Sequence, residues 1–205
     1  GRKTQMTAVI DAINQAGQHA LVYGERGVGK TSLANVLADF LASAVQTRII
    51  APHINCDTTD TFASLWKKVF AEVTFISEQA GVGFRPEIKR SRSEASEDLP
   101  EQVTPADVVS LAAALSSDHL FIPVIDEFDR LRDQEATRLM TDTIKTLSDR
   151  VPYTTIVLVG VADTVEDLIA EHGSVERALV QVRMPRMSRS ELIQIIDTGL
   201  VLRNG

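Results

Sequence analysis

The sequence contains little cysteine, few aromatic residues and no long apolar run. Its 205 residues include a single cysteine, Cys56, so an internal disulfide bond is excluded. A lone thiol fits a reducing compartment, and we expect a cytoplasmic protein. No apolar segment approaches the roughly 20 residues that a membrane helix needs, and the first ten residues do not form a signal peptide. We therefore predict that the chain makes no contact with a membrane.

An excess of basic residues is also absent. The formal net charge is −7, with 28 acidic and 21 basic side chains. A domain that bound nucleic acid through its whole surface would more often be basic, so any such contact must be local or lie outside this chain. The four histidines show none of the spacings of zinc ligands. The length suits one α/β domain, with or without a small appendage.

What the sequence does contain is a regular alternation of strands and helices. We predict helices where apolar residues recur at helical spacing and strands where short runs are apolar on both faces. This pattern is typical of a parallel sheet covered by helices on each side. The predicted strands are His19–Tyr23, Arg48–Asn55, Leu120–Ile125, Thr154–Val161 and Leu179–Val182. The predicted helices are Gly1–Ala16, Lys30–Ala44, Thr61–Val73, one that starts at Thr104-Pro105, Gln134–Leu147, Val165–Glu171 and Ser188–Val201.

One polar segment interrupts the alternation. Gly81–Gln102 has mixed charge and lacks apolar periodicity, so we expect a partly mobile surface insertion that nucleotide binding does not require. Its basic run Lys89–Arg92 lies close to several acidic residues, which favours a solvated loop. The alternative is a contact with a protein or a nucleic acid.

The first strand leads into a phosphate-binding motif. Every fixed position of G-x-x-x-x-G-K-[ST] is present between a strand and a helix. Glycines let successive N–H groups face one point, and the helix that follows adds the positive end of its dipole. We expect Lys30 to lie between the β- and γ-phosphates and the Thr31 hydroxyl to ligate Mg²⁺. The motif consists of Gly24, Glu25, Arg26, Gly27, Val28, Gly29, Lys30 and Thr31, and Ser32 follows it.

Acidic residues follow the third predicted strand. Ligands of parallel α/β sheets gather at the carboxyl ends of the strands. We expect Asp126 to hold the Mg²⁺ shell and Glu127 to polarise the attacking water as a general base. The alternative is that these acids cap the next helix, which is the preferred interpretation for Asp129. Pro123 is unusual inside a central strand, and we expect a local bulge there.

These motifs together resemble the AAA+ P-loop ATPases, in particular their origin-recognition and STAND branches. Gly24–Thr31 and Asp126-Glu127 are similar to the Walker A and Walker B motifs. Four further stretches resemble the element near the adenine, the end of the second strand, the sensor-1 strand and the arginine-finger element that leads into a helical lid. They are Gly1-Arg2, Asn55-Cys56, Gly160–Asp163 and Ser174–Arg177.

The resemblance implies a five-stranded parallel sheet over residues 1–187, with the sensor-1 strand between the two Walker strands. It implies ATP and Mg²⁺ as cofactors, and a lid that starts at residue 188 and is cut off at 205. It further implies that Arg177 reaches a neighbouring subunit of a homo-oligomer, although a plain surface arginine is the alternative and three other arginines lie nearby. They are Arg183, Arg186 and Arg189.

One position departs from the family pattern. The sensor position carries Asp163, where a neutral polar residue is usual, and a carboxylate would repel the γ-phosphate. We expect either that Thr164 takes over the sensing or that Asp163 pairs with Lys30 or Arg177 in the empty site.

Three functions remain open on the sequence. The first is an ATPase motor or switch that acts on a protein or DNA partner, and the second is a STAND-like signalling switch with slow turnover. The third, a scaffold with a degraded site, is disfavoured because all fixed Walker positions are present. GTP is disfavoured because no Asn-Lys-x-Asp motif occurs, and a small-molecule kinase because Asp126-Glu127 suits activation of water.

Overall fold

The computed structural model describes residues 2–43, 48–80, 88–162, 165, 168–169 and 175–186, without the side chains of residues 76–80 and 88–92. The helices are α1 (Lys3–Asn14), α2 (Lys30–Ser43), α3 (Phe62–Ala71), α4 (Pro105–Leu115) and α5 (Gln134–Arg150). The strands are β1 (His19–Gly24), β2 (Ile49–Ile50), β3 (His53–Asn55), β4 (Thr74–Ala80), β5 (Ile88–Glu94), β6 (Leu120–Phe121), β7 (Val124–Asp126), β8 (Val157–Val161) and β9 (Leu179–Arg183).

The central sheet has five strands in the order β3-β7-β8-β1-β9, and all of its pairs are parallel. Strand β8 therefore lies between β1, which precedes the glycine-rich loop, and β7, which precedes the acidic residues. The five-stranded parallel sheet and the central position of the sensor-1 strand are confirmed. All five carboxyl ends lie at one edge of the sheet, because parallel strands share one direction.

Side chains alternate between the two faces of the sheet and build two separate cores. Ala20 and Val22 of β1 pack with α1 and α2, whereas Leu21 packs with α3, α4 and α5. The same alternation divides Val157 and Leu158 of β8. Because both faces bury apolar residues, the strands read as continuous apolar runs in the sequence.

Two prolines divide strands without shifting their register. Ile49 pairs with Leu120 before the prolines, and His53 pairs with Val124 after them, with the same offset along the chain. The N–H groups of Ile122 and Val124 donate to Ile50 and Pro52, both at 2.8 Å. The bulge expected at Pro123 is therefore wrong, since a bulge inserts an extra residue and shifts the register. Pro123 lacks an N–H, so one hydrogen-bond donor is missing between β6 and β7.

The polar segment contains more regular structure than the sequence indicates. Strands β4 and β5 pair antiparallel, with Thr74 opposite Glu94. A short 3₁₀ turn, Ala95–Asp98, follows β5 and packs against α3. Ala95 is fully buried, and its N–H donates to Val73 at 2.9 Å. The end of the expected surface insertion thus belongs to the core, while residues 81–87 lie outside the described part.

Helices α3 and α4 begin at reciprocal capping boxes. The Thr104 hydroxyl accepts from the Asp107 N–H, and the Asp107 carboxylate accepts from the Thr104 N–H at 2.9 Å. Thr61 and Ser64 form the same reciprocal box at the start of α3. Such boxes satisfy two N–H groups that the helix leaves unpaired. No helix in the described part of the chain is long and apolar enough to cross a membrane.

His19 is a fully buried titratable group at the start of β1. Its Nδ1 accepts a hydrogen bond from the Ile156 N–H at 2.9 Å, which requires an unprotonated Nδ1. Burial lowers the pKa of His19 from 6.5 to about 4. The folded state therefore favours the neutral imidazole, whereas the unfolded chain takes up a proton near pH 6.5.

We predict that the free energy of unfolding falls as the pH is lowered from 7 to 5. Stability from a depressed histidine pKa is complete above the unfolded pKa and is lost as the pH falls towards the folded pKa, by about 2 kcal/mol at pH 5. Urea unfolding of the wild type and of His19→Gln at both pH values measures this effect. An equal loss in the two proteins would assign the pH dependence to other groups.

Candidate functional site

The loop between β1 and α2 runs from Gly24 to Lys30 and is built on three glycines. Gly24, Gly27 and Gly29 all have positive φ, at 148°, 81° and 90°. At Gly24 a Cβ would collide with the Met184 carbonyl oxygen, so no larger residue fits this position. The loop therefore owes its shape to glycine, as a phosphate-binding loop does.

Arg2 joins this loop to the segment that follows β9. Its guanidinium donates to the Val28 carbonyl and to the Pro185 carbonyl, both at 2.7 Å. Glu25 also reaches that segment, since its carboxylate accepts from Arg186 Nε at 2.7 Å. The loop, the amino-terminal arm and the chain after β9 are thus tied together.

Lys30 is buried at the start of α2, with 7% of its surface exposed. Its ammonium donates to the carbonyls of Gly24 at 2.9 Å and Glu25 at 2.8 Å. Burial lowers the pKa of Lys30, while the charges of Asp129 and Asp126 act in the opposite direction. Lys30 thus pairs with loop carbonyls in this structure. Asp163, the expected alternative partner, and Thr164 lie outside the described residues.

Asp126 is the last residue of β7 and is almost fully buried. Its Oδ1 accepts from the Glu127 N–H at 2.7 Å. Its Oδ2 is buried and has no hydrogen-bond partner among the described residues. A buried carboxylate oxygen without a partner is costly, and a bound cation would satisfy it. The neighbouring Asn55-Cys56 step is fixed by a 2.9 Å bond from the Cys56 N–H to the Asp126 carbonyl.

Glu127 leaves the strand in a left-handed conformation, with φ at 55° and ψ at 33°. A non-glycine residue in this region costs energy and is held by its surroundings. The carboxylate Oε2 accepts from Arg130 NH1 at 2.8 Å, and both side chains are about half exposed. The pairing raises the pKa of Arg130. Asp126 and Glu127 therefore point in different directions, as their expected separate roles require.

Asp129 does not cap a helix but joins the acidic turn to β8. Its Oδ1 accepts from the Val161 N–H at 2.7 Å. Gly160 allows this close approach, since a Cβ there would lie 2.8 Å from a Leu168 methyl and 3.2 Å from the Asp129 nitrogen. The cap expected for Asp129 is wrong. The helix cap is Asp133, whose carboxylate accepts from the Glu135 N–H at 3.0 Å.

The loop and the acidic turn face each other across a cleft of about 750 Å³. Most of the residues that sequence patterns place at the site line this cleft. The lining consists of Arg26, Gly27, Gly29, Lys30, Thr31, Ser32, Asp126, Glu127, Asp129, Arg130, Gly160 and Val161. Of the remaining candidates, Gly24 and Glu25 contribute the carbonyls that bind Lys30. Val28 is a buried residue within the loop.

A second, more apolar pocket of about 500 Å³ lies beside the loop, between α1 and α2. It shares Gly29 and Ser32 with the first cleft, so the two adjoin at the loop. Its apolar wall is formed by Met6, Leu33 and Val36. Arg2 also lines it, at the position that resembles the family's element near the adenine.

Arg177 lies at the opposite end of the sheet from the cleft. It belongs to a short turn, Glu176–Ala178, just before β9, and its carbonyl accepts from Gln18 at 2.8 Å. Leu179 pairs with His19, the first residue of β1, whereas the phosphate loop follows Gly24. Six residues of strand separate the two by about 16 Å. Arg177 is thus far from the cleft of its own chain.

Two site residues escape sequence reasoning. Arg130 lines the cleft, and Asp129 joins the acidic turn to β8, yet neither stands at a fixed motif position. The only available signal was their place within four residues of Asp126. The buried Cys56 is not a reactive thiol. Burial is the main cause that raises the pKa of this thiol to about 12, and the negative charge of Asp60 adds to the effect.

The comparison with known protein families decides the identity of the domain. Residues 1–159 match the family described as AAA ATPase domain. The chain belongs to the AAA ATPase domain family. The family match includes both Walker motifs and ends within β8. No curated protein sequence is significantly similar to this AAA ATPase domain.

Solved structures share the fold of this AAA domain at low sequence identity. The Aeropyrum pernix ORC1 protein in complex with DNA has a TM-score of 0.61 at 17% identity, and the match covers 96% of this chain and 48% of that one. Drosophila ORC bound to DNA gives 0.64 at 15%, covering 96% and 46%. AMPPCP-bound DnaA from Aquifex aeolicus gives 0.53 at 14%, covering 98% and 51%. The chain thus spans about half the length of these structures.

We predict that Lys30→Ala weakens ATP binding at least about tenfold. A charge-assisted contact to phosphate contributes roughly 1.5–3 kcal/mol, and Lys30 is the buried cation of the loop. Isothermal titration calorimetry measures the affinity. Lys67→Ala is the control and should bind like the wild type, since it removes a half-buried lysine of α3 that donates to the Glu101 carbonyl at 3.2 Å. Equal affinity in Lys30→Ala would show that Lys30 does not contact the phosphates.

Proposed function

We propose that this AAA domain binds Mg-ATP in the 750 Å³ cleft and hydrolyses it. The observation that carries the proposal is the meeting of a buried lysine and two acids with different surroundings across one cleft. Lys30 comes from the loop after β1, and Asp126 and Glu127 come from the end of β7. An AAA fold holding this set matches the requirements of phosphoryl transfer to water.

The phosphates would lie against the glycine-rich loop. The backbone N–H groups of such a loop and the amino end of α2 favour negative charge. In the proposed complex, the Lys30 ammonium exchanges the carbonyls of Gly24 and Glu25 for phosphate oxygens. Burial makes that charge more effective, because a buried cation interacts more strongly than an exposed one.

Asp126 and Thr31 are the residues that would hold Mg²⁺. The unpartnered Oδ2 of Asp126 fits this role, because a hard cation prefers carboxylate and hydroxyl oxygens. Thr31 is exposed on the cleft at the first turn of α2. The ion, when bound with the nucleotide, would neutralise charge that develops on the phosphate oxygens.

Glu127 would act as the general base. Its half-exposed carboxylate borders the cleft, where it can accept a proton from water. The water oxygen would form a bond to the γ-phosphorus as the bond to the bridging oxygen breaks and ADP leaves. Asp126 cannot share this role, because one of its oxygens is already bonded to the backbone and the other is buried.

The apolar pocket beside the loop supports a nucleotide with a flat base. Met6, Leu33 and Val36 provide an apolar wall next to Gly29 and Ser32. Adenine fits such a surface, whereas guanine recognition commonly uses a motif that the sequence lacks. We therefore infer ATP as the nucleotide, in agreement with the AMPPCP that the Aquifex aeolicus DnaA structure contains.

The domain would act as a motor or switch on a partner, in the cytoplasm and as a homo-oligomer. Two similar structures are bound to DNA, which makes DNA one candidate partner. Those chains are about twice as long as this one, and this domain carries a net charge of −7, so the contact would involve regions outside it. A signalling switch with slow turnover is the second candidate.

Arg177 is the proposed contribution of one subunit to the site of the next. Its position at the far end of the sheet excludes it from its own cleft and leaves it exposed for a neighbour. The helical lid proposed for residues 188–205 and the sensor Asp163 lie outside the described residues, so the proposal includes no geometry for them.

We predict that Glu127→Gln binds ATP with wild-type affinity and turns it over about 10²–10⁴-fold more slowly. Glutamine keeps the shape and removes the base, whose contribution is typically of this size. Single-turnover release of phosphate measures the rate, and calorimetry measures the affinity. Asp126→Asn is the matched variant and should lose Mg²⁺ dependence as well as activity. Wild-type turnover in Glu127→Gln would remove Glu127 from the mechanism.

We predict that Arg177→Ala lowers turnover and leaves ATP affinity nearly unchanged. A residue that acts on the transition state affects kcat more than ground-state binding. Turnover of the wild type should also rise more steeply than linearly with protein concentration. Mixing Arg177→Ala with Glu127→Gln should restore some activity, because one interface then pairs an intact Glu127 with an intact Arg177.

The control for this experiment is Arg150→Ala, which removes an exposed arginine near the same end of the sheet. It should match the wild type in every assay. Turnover per subunit that is independent of concentration, together with no rescue in the mixture, would show that Arg177 does not act between subunits.

A further inference from the structure

The turn after β7 contains an ion pair that the proposed mechanism does not use. Arg130 NH1 donates to Glu127 Oε2 at 2.8 Å, and both residues line the cleft. The guanidinium is 46% exposed and the carboxylate 44% exposed, so the pair borders the solvent of the cleft. A charged partner beside the proposed base affects where that base points.

The backbone of this turn is fixed on both sides of the pair. The Arg130 N–H donates to the Glu127 carbonyl at 2.9 Å, and the Leu131 N–H donates to the Phe128 carbonyl at 3.1 Å. Phe128 is buried in the core, and Asp129 bonds to the end of β8. Arg130 therefore projects from an anchored position and moves together with Glu127, not with a separate element.

The ion pair engages the carboxylate through one oxygen. An arginine can bind both oxygens of a carboxylate with its fork of donors. Here the short contact joins a single guanidinium nitrogen to Oε2. A bidentate pair would occupy the base completely, whereas this arrangement holds one oxygen and leaves Oε1 for a water molecule.

Glu127 needs such a restraint because its own conformation does not provide one. Its left-handed backbone sets the direction in which the side chain leaves the strand end. Beyond that point, a glutamate has three rotatable bonds, and fixing them carries an entropy cost. Arg130 is the residue of the turn whose side chain reaches the carboxylate.

We propose that Arg130 is a positioning residue that holds the Glu127 carboxylate by Oε2 and thereby presents Oε1 to the attacking water. This inference rests on the proposed role of Glu127 as general base. It assigns Arg130 to the chemistry of the chain's own cleft, in contrast to Arg177. Arg130 acts through Glu127 and is not itself a catalytic residue.

The ion pair contributes little to the fold, which makes the substitution a clean test. Exposed pairs three residues apart have small effects on stability. The turn keeps its backbone hydrogen bonds, its buried Phe128 and its Asp129 contact when the Arg130 side chain is shortened. Arg130→Ala should therefore fold like the wild type, which circular dichroism and thermal unfolding would verify.

The experiment compares steady-state ATP hydrolysis by the wild type, Arg130→Ala and Arg130→Lys, with Arg132→Ala as the control. Arg132 is an exposed arginine two residues further along the chain. We expect kcat to fall about ten- to a hundredfold in Arg130→Ala, because a misplaced base loses its alignment with water. KM should change little, Arg130→Lys should recover part of the loss, and Arg132→Ala should match the wild type.

A double-mutant comparison isolates the route through Glu127. If Arg130 acts only by positioning Glu127, then Arg130→Ala has no further effect on single-turnover hydrolysis in a Glu127→Gln background. An equal fold-loss in both backgrounds would overturn the inference, as would a raised KM with unchanged kcat. A kcat at or above the wild-type value would likewise overturn it.

The proposed function fails in a different way. Absence of hydrolysis by the wild type, or full activity of Glu127→Gln, would overturn the general-base proposal and this inference with it. A wild-type rate in Arg130→Ala beside an inactive Glu127→Gln would overturn only the role of Arg130.

Discussion

The candidate site depends on the position of β8 between β1 and β7. This one strand sets the width of the cleft, because the phosphate loop and the acidic turn begin at the carboxyl ends of its two neighbours. Strand spacing in a sheet is about 4.8 Å, so the two sides are held roughly two strand spacings apart. Asp129 then fixes the acidic turn to the end of β8 through the Val161 N–H. Gly160 keeps that contact open.

Within this frame, the charged groups of the cleft are held by neighbouring residues, but not every charged atom has a partner. Lys30 is buried, and its charge is supported by Asp126, Asp129 and two loop carbonyls. Asp126 retains an oxygen without a partner, and Glu127 is held by Arg130. Glu127 is thus held by a hydrogen bond beside the cleft before a ligand binds, whereas Lys30 would exchange its partners on binding. Preorganised charges stabilise a transition state with less reorganisation than mobile ones.

Much of this arrangement could be predicted from the sequence, because local patterns carry it. The glycine spacing and the lysine specify the loop, and apolar runs on both faces specify a parallel sheet. The central place of β8 came from family resemblance, since strand order depends on long-range packing. The hairpin of β4 and β5 was missed for a related reason. Its strands are polar, so their pairing leaves no apolar alternation to detect.

The roles of Asp129 and Arg130 were beyond sequence reasoning on physical grounds. An acid just before a predicted helix suggests a cap, and only the tertiary approach of β8 shows that Asp129 serves another partner. Arg130 can be placed only when the left-handed backbone of Glu127 is known. The two residues follow the acidic pair after Phe128, so a single turn carries metal binding, proton transfer, positioning and attachment to β8 in the proposed function.

Under this proposal, the carboxyl end of the sheet forms the chain's own site, and the amino end contributes to the site of a neighbour. Among the described residues, the carboxyl end gathers the loop with Arg26, the acids and the nearby Arg130. The amino end presents Arg177, which no conformational change within a parallel sheet can carry to its own cleft. Among the described residues, a second cation at the γ-phosphate would come from Arg26, from Arg130 or from the Arg177 of a neighbour. If Arg130 is committed to Glu127, as its single short contact indicates, Arg26 and the charge from a neighbour are left for this role. Positioning of Glu127 by Arg130 and assembly between subunits would thus act on the same γ-phosphate.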